Sequence, residues 1–534
     1  MTTDTVTAPV LTGASLIGVE DVQGTGAVIH GVDPRTGETL EPGYALVGLA
    51  EVGRAAALAE EAFHSYRQTT PEKRAAFLDT IADNIAALGS VLTERVMAET
   101  GIARGRVEGE TARTVNQLRL FGSVLREGNW HEARIDPALP NRTPLPRVDI
   151  RLRKVPVGPV AVFGASNFPL AFSVAGGDTA SALAAGSPVI VKAHSSHPGT
   201  SELVGRAIRA AVFEHGLHEG VFSLLFGSGT VVGIELVRDP RIKAVGFTGS
   251  RAAGLALVEA AANRPVPIPV YAEMSSINPV FVLPGALAAD AARLGADWVG
   301  SVTTGVGQLC TSPGLVFVPE GAPAQEFING AARAVAGAEA APMLSTHIAG
   351  AFADAVTAVT DHPGVSLIAQ GADRGDIVAC GLPQLYATDA DTFLADERLQ
   401  TEMFGPASIV VTVRDTAQMA TILECLEGQL TVTIHTDGAE PGAADLMDAA
   451  ELKAGRVLFN GWPTGVEVGH AMVHGGPFPA TSNGATTSVG SLAIERFIRP
   501  VSYQNTPAAL LPAALQDDNP LDIWRSVDGR LRYE

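Results

Sequence analysis

The sequence predicts an α/β protein with two lobes, each built on a largely parallel sheet. Three observations carry this. Short apolar runs alternate with amphipathic segments from 160 to 270, the pattern of strands covered by helices on both faces. A second alternating set follows 278, with NPVFVLP, AARLGADWVGSVTTGVG and GLVFVPE. Ahead of the first set lies RVDIRLRKVPVGPV. There Arg147, Asp149, Arg151 and Arg153 alternate with Val148, Ile150 and Leu152, the two-residue period of a strand with one wet face. Such a ribbon beside helices extends from a body to meet a partner subunit.

Each element follows from its local pattern. The stretch to about 39 is polar and turn-rich, with DPRTGE as a turn cluster, and is expected to be loop. From 51 to 127 apolar residues recur at three-and-four spacing with charges opposite, which predicts helices; Thr70, Pro71 and Glu72 form a helix start. The runs PVAVFGA, SPVIVKA, VFSLLFG and IKAVGFTGS read as buried parallel strands, and a parallel α/β sheet binds ligands at the carboxyl ends of its strands. Between 154 and 192 the only charged residue is Asp178. Pro156, Pro159, Pro169 and Pro188 break that segment into strands and turns rather than a membrane span. From about 506 the chain is Pro/Ala/Leu-rich and then polar, expected as a tail laid over a surface.

Composition narrows the function. A net charge of −20 argues against nucleic acid or an anionic membrane as partner, though a local site for an anionic cofactor remains open. Three cysteines in 534 residues make no disulfide framework, so the chain is expected to be cytoplasmic and reduced. Cys380 and Cys425 sit in apolar surroundings and are expected as inert core thiols. The N-terminal MTTDTVTAPVLTGASLIG carries no Lys or Arg, unlike a secretory signal.

Several residues stand where chemistry is possible. Cys310 lies in GVGQLCTSPG, among small residues before a Pro-Gly turn. Lys192 ends an apolar strand, where it meets a phosphate or ribose or else snorkels to the surface. GSGTVVG begins at Gly227, after a strand, but has one residue too many between its second and third glycines for a dinucleotide fingerprint. In GFTGSRAAG, Ser250 caps a helix whose N–H groups face an anion, or simply caps it. Glu273 ends the short strand VPIPVYA, as a salt-bridged strand end or a functional acid. Glu402 precedes a Phe-Gly-Pro turn. The pairs His470/His474 and His194/His197 lack a cysteine or carboxylate at ligand spacing, so no metal site is expected.

Read in order, FGASNFPLAF, VIVKAHSSHPGTSE, GFTGS, AEMSSINP, GQLCTSPG and EMFGP resemble the aldehyde dehydrogenases from about 32 to 505. Within them the sequence looks most like the α-ketoglutaric semialdehyde (2,5-dioxopentanoate) dehydrogenases, with NADP-linked fatty aldehyde dehydrogenases as the alternative. The resemblance implies a Rossmann-like cofactor domain at 1–138 and 161–285 and a catalytic domain at 286–485. It also implies an oligomerisation β-element at 139–160 and 486–510, with a C-terminal tail at 511–534. It assigns Cys310 as nucleophile, forming a thiohemiacetal and then a thioester, Asn167 as oxyanion donor with the Cys310 backbone N–H, and Glu273 as the base that activates water. A carboxylate at the edge of an apolar strand is expected to have its pKa lifted by desolvation. Ser275 and Ser276 replace glycines common in relatives and leave the resting orientation of Glu273 open.

For the cofactor the resemblance implies Lys192, Gly227, Ser250, Glu402 and Phe404. Ser195 stands where many NAD-specific relatives carry a glutamate, so NADP is expected, with NAD possible. The helix segment EGETARTVNQLRLFG offers Arg113, Asn116 and Gln117 to a substrate carboxylate, or is a solvated helix face. Phe163, Phe168 and Phe478 wall a channel or are core. Glu273 speaks against a CoA-acylating member, since those generally lack the base. The expected partners are a small aldehyde and further copies of the chain, as homodimer or homotetramer.

Overall fold

The structure is a computed structural model and describes residues 10–533. The first nine residues, which open both the N-terminal segment and the first domain range above, and Glu534, which ends the last range, lie outside it.

Five of the apolar runs form a parallel core in the spatial order Val270–Glu273, Ala244–Thr248, Val160–Phe163, Val189–Lys192 and Phe222–Leu225. The chain first builds outward from Val160–Phe163 and then returns to its other side. The switch point therefore lies between Val160–Phe163 and Ala244–Thr248, where such sheets open a ligand crevice at their carboxyl ends. The predicted N-terminal loop is a correction. Ser15–Ile17 and Glu20–Val22 add two antiparallel strands to this sheet, and Val28–Val32 pairs with Thr39–Ala45 as a separate ribbon. The first two are three residues each, too short for their period to show, and Pro42 and Gly43 interrupt the pattern of Thr39–Ala45.

The helices Leu49–Tyr66, Pro71–Ala87, Gly89–Thr100 and Arg104–Glu127 occupy the predicted span. Thr70 caps the second, its Oγ1 accepting from the Lys73 N–H at 3.2 Å. No single helix among the described residues is long and apolar enough to cross a membrane.

A second seven-stranded sheet runs Ser366–Gln370, Gln384–Asp389, Ala407–Val413, Leu315–Pro319, Val280–Val282, Gln429–His435, Ala454–Phe459, parallel except at its first edge. The chain passes from the first sheet to the second in the few residues between Glu273 and Val280, which places the end of one sheet beside the start of the other.

The predicted ribbon is the strand Ile150–Pro156, paired with Ile498–Gln504 on one side and Arg134–Asp136 on the other. Two expectations change here. The arginine face is not uniformly wet: Arg151 is buried and held by Asp149, Asp517 and the Leu515 carbonyl. The C-terminal segment is not only a surface tail, because Arg525–Val527 and Arg530–Arg532 extend the same sheet to five strands. Nor are both remaining thiols core: Cys380 is half-buried and Cys425 is exposed, at the end of an amphipathic helix.

Asp178, the lone charge of its apolar segment, lies on the helix Gly177–Ala185 and pairs with Arg496, which is 3 % exposed and stacks over Tyr271 at 5.3 Å. Removing one member of a buried ion pair strands the other charge. Replacing both with apolar groups of similar volume is often neutral. Asp178→Ala should therefore lower unfolding free energy by about 3–5 kcal/mol, and adding Arg496→Met should recover much of that loss, as read from urea denaturation.

Candidate functional site

The site is assembled from the carboxyl end of the first sheet, the loop ahead of Leu315–Pro319 and one inward-facing stripe of the helix Arg104–Glu127. Along that stripe Arg106, Glu110, Arg113 and Gln117 follow one another at helical spacing. Arg106 Nη2 donates to the Asn167 carbonyl at 2.8 Å and its guanidinium lies 5.2 Å from the Phe168 ring. One oxygen of Glu110 accepts from the Leu170 and Ala171 N–H groups at 2.8 and 3.0 Å. These two side chains fix the Asn-Phe-Pro turn at both ends. Asn167 is buried, and its Nδ2 donates to the Gln308 carbonyl at 3.0 Å. That bond brings the side-chain amide to the loop carrying Cys310.

The loop itself needs glycine. Gly305, Val306 and Gly307 all have positive φ, and a Cβ on Gly307 would stand 2.1 Å from the Gly405 carbonyl oxygen. Only glycine allows the Cys310 loop to pack this closely on the Glu402–Phe404 turn. Asn278 fastens the other side. Its Nδ2 donates to the carbonyls of Cys310 and Ser312 at 2.8 and 2.9 Å. Its oxygen accepts from Ser276 Oγ and Thr431 Oγ1. The serines that left the orientation of Glu273 open are thus structural: Ser276 also bonds Gln429, and Ser275 accepts from Arg251.

Glu273 is wholly buried and turned inward. Its Oε1 lies 2.9 Å from His474 Nε2, and its Oε2 accepts from Ser488 Oγ at 2.8 Å. The same His474 Nε2 is 3.4 Å from Cys310 Sγ. The three ligand-capable atoms all lie within 4.8 Å of one another. His474 is the residue the sequence does not single out, since its spacing to His470 suggests nothing beyond a metal pair. Its true partners stand far away in the chain, and a lone His in a Gly-rich loop gives no periodic signal. The pair His194/His197, by contrast, stacks ring on ring at 5.3 Å, and His197 bonds the Ala165 carbonyl.

The electrostatics correct one expectation. Burial alone pushes the Glu273 carboxyl up, but the charge and hydrogen bond of His474, the Ser488 hydroxyl and Arg496 outweigh it. The carboxyl sits below its ordinary value, not above it. Burial, the adjacent Glu273 carboxylate and Glu402 push the half-buried Cys310 thiol well up, against the opposing charge of Arg113.

The remaining candidates divide. Glu402 and Phe404 are half-buried. Glu402, with Ser276, Ile277, Gly307, Ser312 and Met403, lines a narrow cleft beside the Cys310 loop. Burial raises the Glu402 carboxyl to about 8 and lowers Lys192 to about 8; neither makes an ion pair among the described residues. Ser250 is exposed and caps Arg251–Ala262, its Oγ accepting from the Ala253 N–H. Gly227 is buried and closes on Val232, and Ser195 is exposed. An unpaired lysine, an open helix N-terminus and an unpaired carboxylate at the carboxyl end of one parallel sheet and the adjoining turn suit a dinucleotide with its phosphates and ribose hydroxyls. Phe163 packs on Phe247 in the sheet core. Phe168 flanks Phe172 at 5.2 Å. Phe478 is 62 % exposed and makes no ring contact with the Cys310 cluster among the described residues. Gln117 is buried against Gly177, whereas Asn116 is exposed.

Comparison with known proteins shows the family of the chain. The α-ketoglutaric semialdehyde dehydrogenase 2 of Azospirillum brasilense is 55 % identical over 523 residues, covering 97 % of this chain and 99 % of that protein. The α-ketoglutaric semialdehyde dehydrogenase of Acinetobacter baylyi is 50 % identical, covering 90 % and 92 %. Among solved structures, betaine aldehyde dehydrogenase from Staphylococcus aureus in complex with NAD+ superposes with a TM-score of 0.79 at 20 % identity, over 93 % of this chain and 96 % of that one. The aldehyde dehydrogenase family profile matches residues 22–499, and the chain belongs to that family.

Proposed function

We propose that the chain oxidises α-ketoglutaric semialdehyde to α-ketoglutarate with NADP, through a covalent cysteine adduct. The convergence of Cys310, His474 and Glu273 within 4.8 Å carries the chemistry. The near end-to-end likeness to two relatives of that name favours this substrate over long-chain aldehydes.

The Cys310 thiol gives up its proton to solvent as its sulfur adds to the aldehyde carbon, and the carbonyl electron pair moves onto oxygen. The developing oxyanion takes the Cys310 backbone N–H, which meets no acceptor among the described residues, and the second N–H of Asn167 Nδ2, whose other proton serves Gln308. Preorganised donors of this kind are worth about 3 kcal/mol each. The chemistry a nicotinamide supplies in the cleft is a two-electron oxidation. Glu273 then takes a proton from the water that opens the thioester, releasing the acid and the thiol. His474 positions this carboxylate against the sulfur and keeps it ionised. For the cofactor, Lys192 and Ser250 suit the phosphates and Glu402 the ribose. Ser195, in place of a carboxylate, leaves room and a donor for a 2′-phosphate. The unpaired outer edge of Ile498–Gln504 supports the oligomeric reading, since an exposed sheet edge is a ready pairing surface.

Three outcomes test this. Glu273→Gln should keep the pre-steady-state burst of reduced cofactor while steady turnover falls about 10²–10⁴-fold; Cys310→Ala should show no burst, and a burst there would refute the nucleophile. Ser195→Glu should shift the NADP/NAD ratio of kcat/KM toward NAD by about tenfold or more, whereas a wild type that prefers NAD would defeat the cofactor assignment. Because Cys310 is raised, its alkylation by iodoacetamide in the apoenzyme should keep accelerating above pH ~8.5, the ordinary cysteine value. A plateau below that pH, with Cys310→Ala as background for the exposed Cys425, would contradict the electrostatics.

A further inference from the structure

Two arginines near the nucleophile are anchored on one short segment with donor atoms unspent. Arg113 Nη1 donates to the Val466 carbonyl at 2.7 Å. Arg456, on the edge strand Ala454–Phe459 of the second sheet, donates through Nη1 to Gly465 and through Nη2 to Pro463, both at 2.6 Å. The same short segment thus anchors both guanidiniums by their tips. What remains is specific. Arg113 Nε and Nη2, the two parallel N–H groups on one edge of the guanidinium, are buried with no partner among the described residues, and so is Arg456 Nε. A paired edge of that kind matches the two oxygens of a carboxylate. Buried donors left unpaired are costly, so a carboxylate that closes them would be favoured there.

The placement relative to the sulfur follows through aromatic contacts. The Arg113 guanidinium stacks 5.6 Å from the Phe172 ring, Phe172 lies 5.9 Å from the His474 ring, and His474 touches Cys310 Sγ. Each arginine is held down first by burial, and Arg456 is lowered further by Arg113. The acids nearby do not neutralise them by contact. Glu110 is committed to the Leu170 and Ala171 N–H groups, and Glu467 is exposed.

We infer that Arg113 and Arg456 form a subsite for the substrate's carboxylate, Arg113 through its Nε/Nη2 edge and Arg456 through Nε. The chemical class it selects is a short aldehyde bearing a carboxylate four bonds from the carbonyl carbon, about 5 Å in an extended chain. The inference rests on the semialdehyde reading above and adds Arg456, which nothing in the sequence singles out.

The test reads a ratio: kcat/KM for α-ketoglutaric semialdehyde divided by that for pentanal, an uncharged aldehyde of equal carbon number. Effects on thiol reactivity enter both arms and cancel. Arg113→Met and Arg456→Met should each lower the ratio about 10- to 100-fold, the worth of a charge-assisted hydrogen bond. If either methionine variant fails to fold, Arg113→Lys and Arg456→Lys keep the charge but lose the fork, and should also lower the ratio. An unchanged ratio in folded variants of a wild type that prefers the semialdehyde overturns the subsite alone. A wild type with no such preference overturns the substrate reading first, and the subsite with it.

Discussion

One side-chain amide holds the two halves of the site together. Asn278 stands where the chain leaves the first sheet, just past Glu273, and enters the second. With φ at 48° it turns its amide back on the Cys310 loop, giving both protons to the carbonyls of Cys310 and Ser312 while its oxygen takes hydroxyls from Ser276 and Thr431. Every strong valence of the group is used. The separation of acid and sulfur is therefore set by a rigid covalent link of a few residues plus a hydrogen-bonded clasp. Loss of the clasp would leave two carbonyls of the nucleophile loop unpaired, at about 1–3 kcal/mol for each buried group.

That fixed separation makes the electrostatics work as a pair. The carboxylate is drawn down by His474 and Ser488, while the thiol is pushed up by burial and by the same carboxylate. On the proposed mechanism, two titrating groups driven apart in this way take distinct roles, one a standing base and the other a neutral thiol at rest. The thiol gives up its proton only when something offsets the neighbouring negative charge. Arg113 is the group placed to do so.

Much of this was legible in the sequence, for identifiable reasons. Strands buried on both faces must be apolar runs, so Val160–Phe163, Val189–Lys192 and Ala244–Thr248 stand out, and ordered motifs single out Cys310, Asn167 and Glu273, which the fold brings to one region. What escaped were features that only tertiary contact creates. Ser15–Ile17 and Arg525–Val527 are three-residue strands, too short to show a period. The stripe Arg106, Glu110, Arg113 and Gln117 reads as a solvated helix face until its partners, Asn167, Leu170 and Val466, are in place. The sign of the Glu273 shift could not be read without His474, because burial alone points the other way.

The inward charge of that stripe resolves a difficulty set by composition. A chain of net charge −20 must admit an anionic cofactor and, on the present reading, an anionic substrate. In physiological salt the surface acids are screened beyond about 8 Å, so the decision falls to the charges inside the cleft. There the sign is reversed. Arg106 is spent on the Asn167 turn, and Lys192 ends a strand of the first sheet. Arg113 and Arg456, the proposed carboxylate subsite, are pinned by carbonyls that hold the guanidiniums without neutralising them. Backbone carbonyls rather than carboxylates are the partners that achieve this: they orient a cation and leave its charge for the ligand. The segment that supplies them continues to His474, so the groups that would recognise the substrate's far end and the group that ties base to nucleophile belong to one stretch of chain.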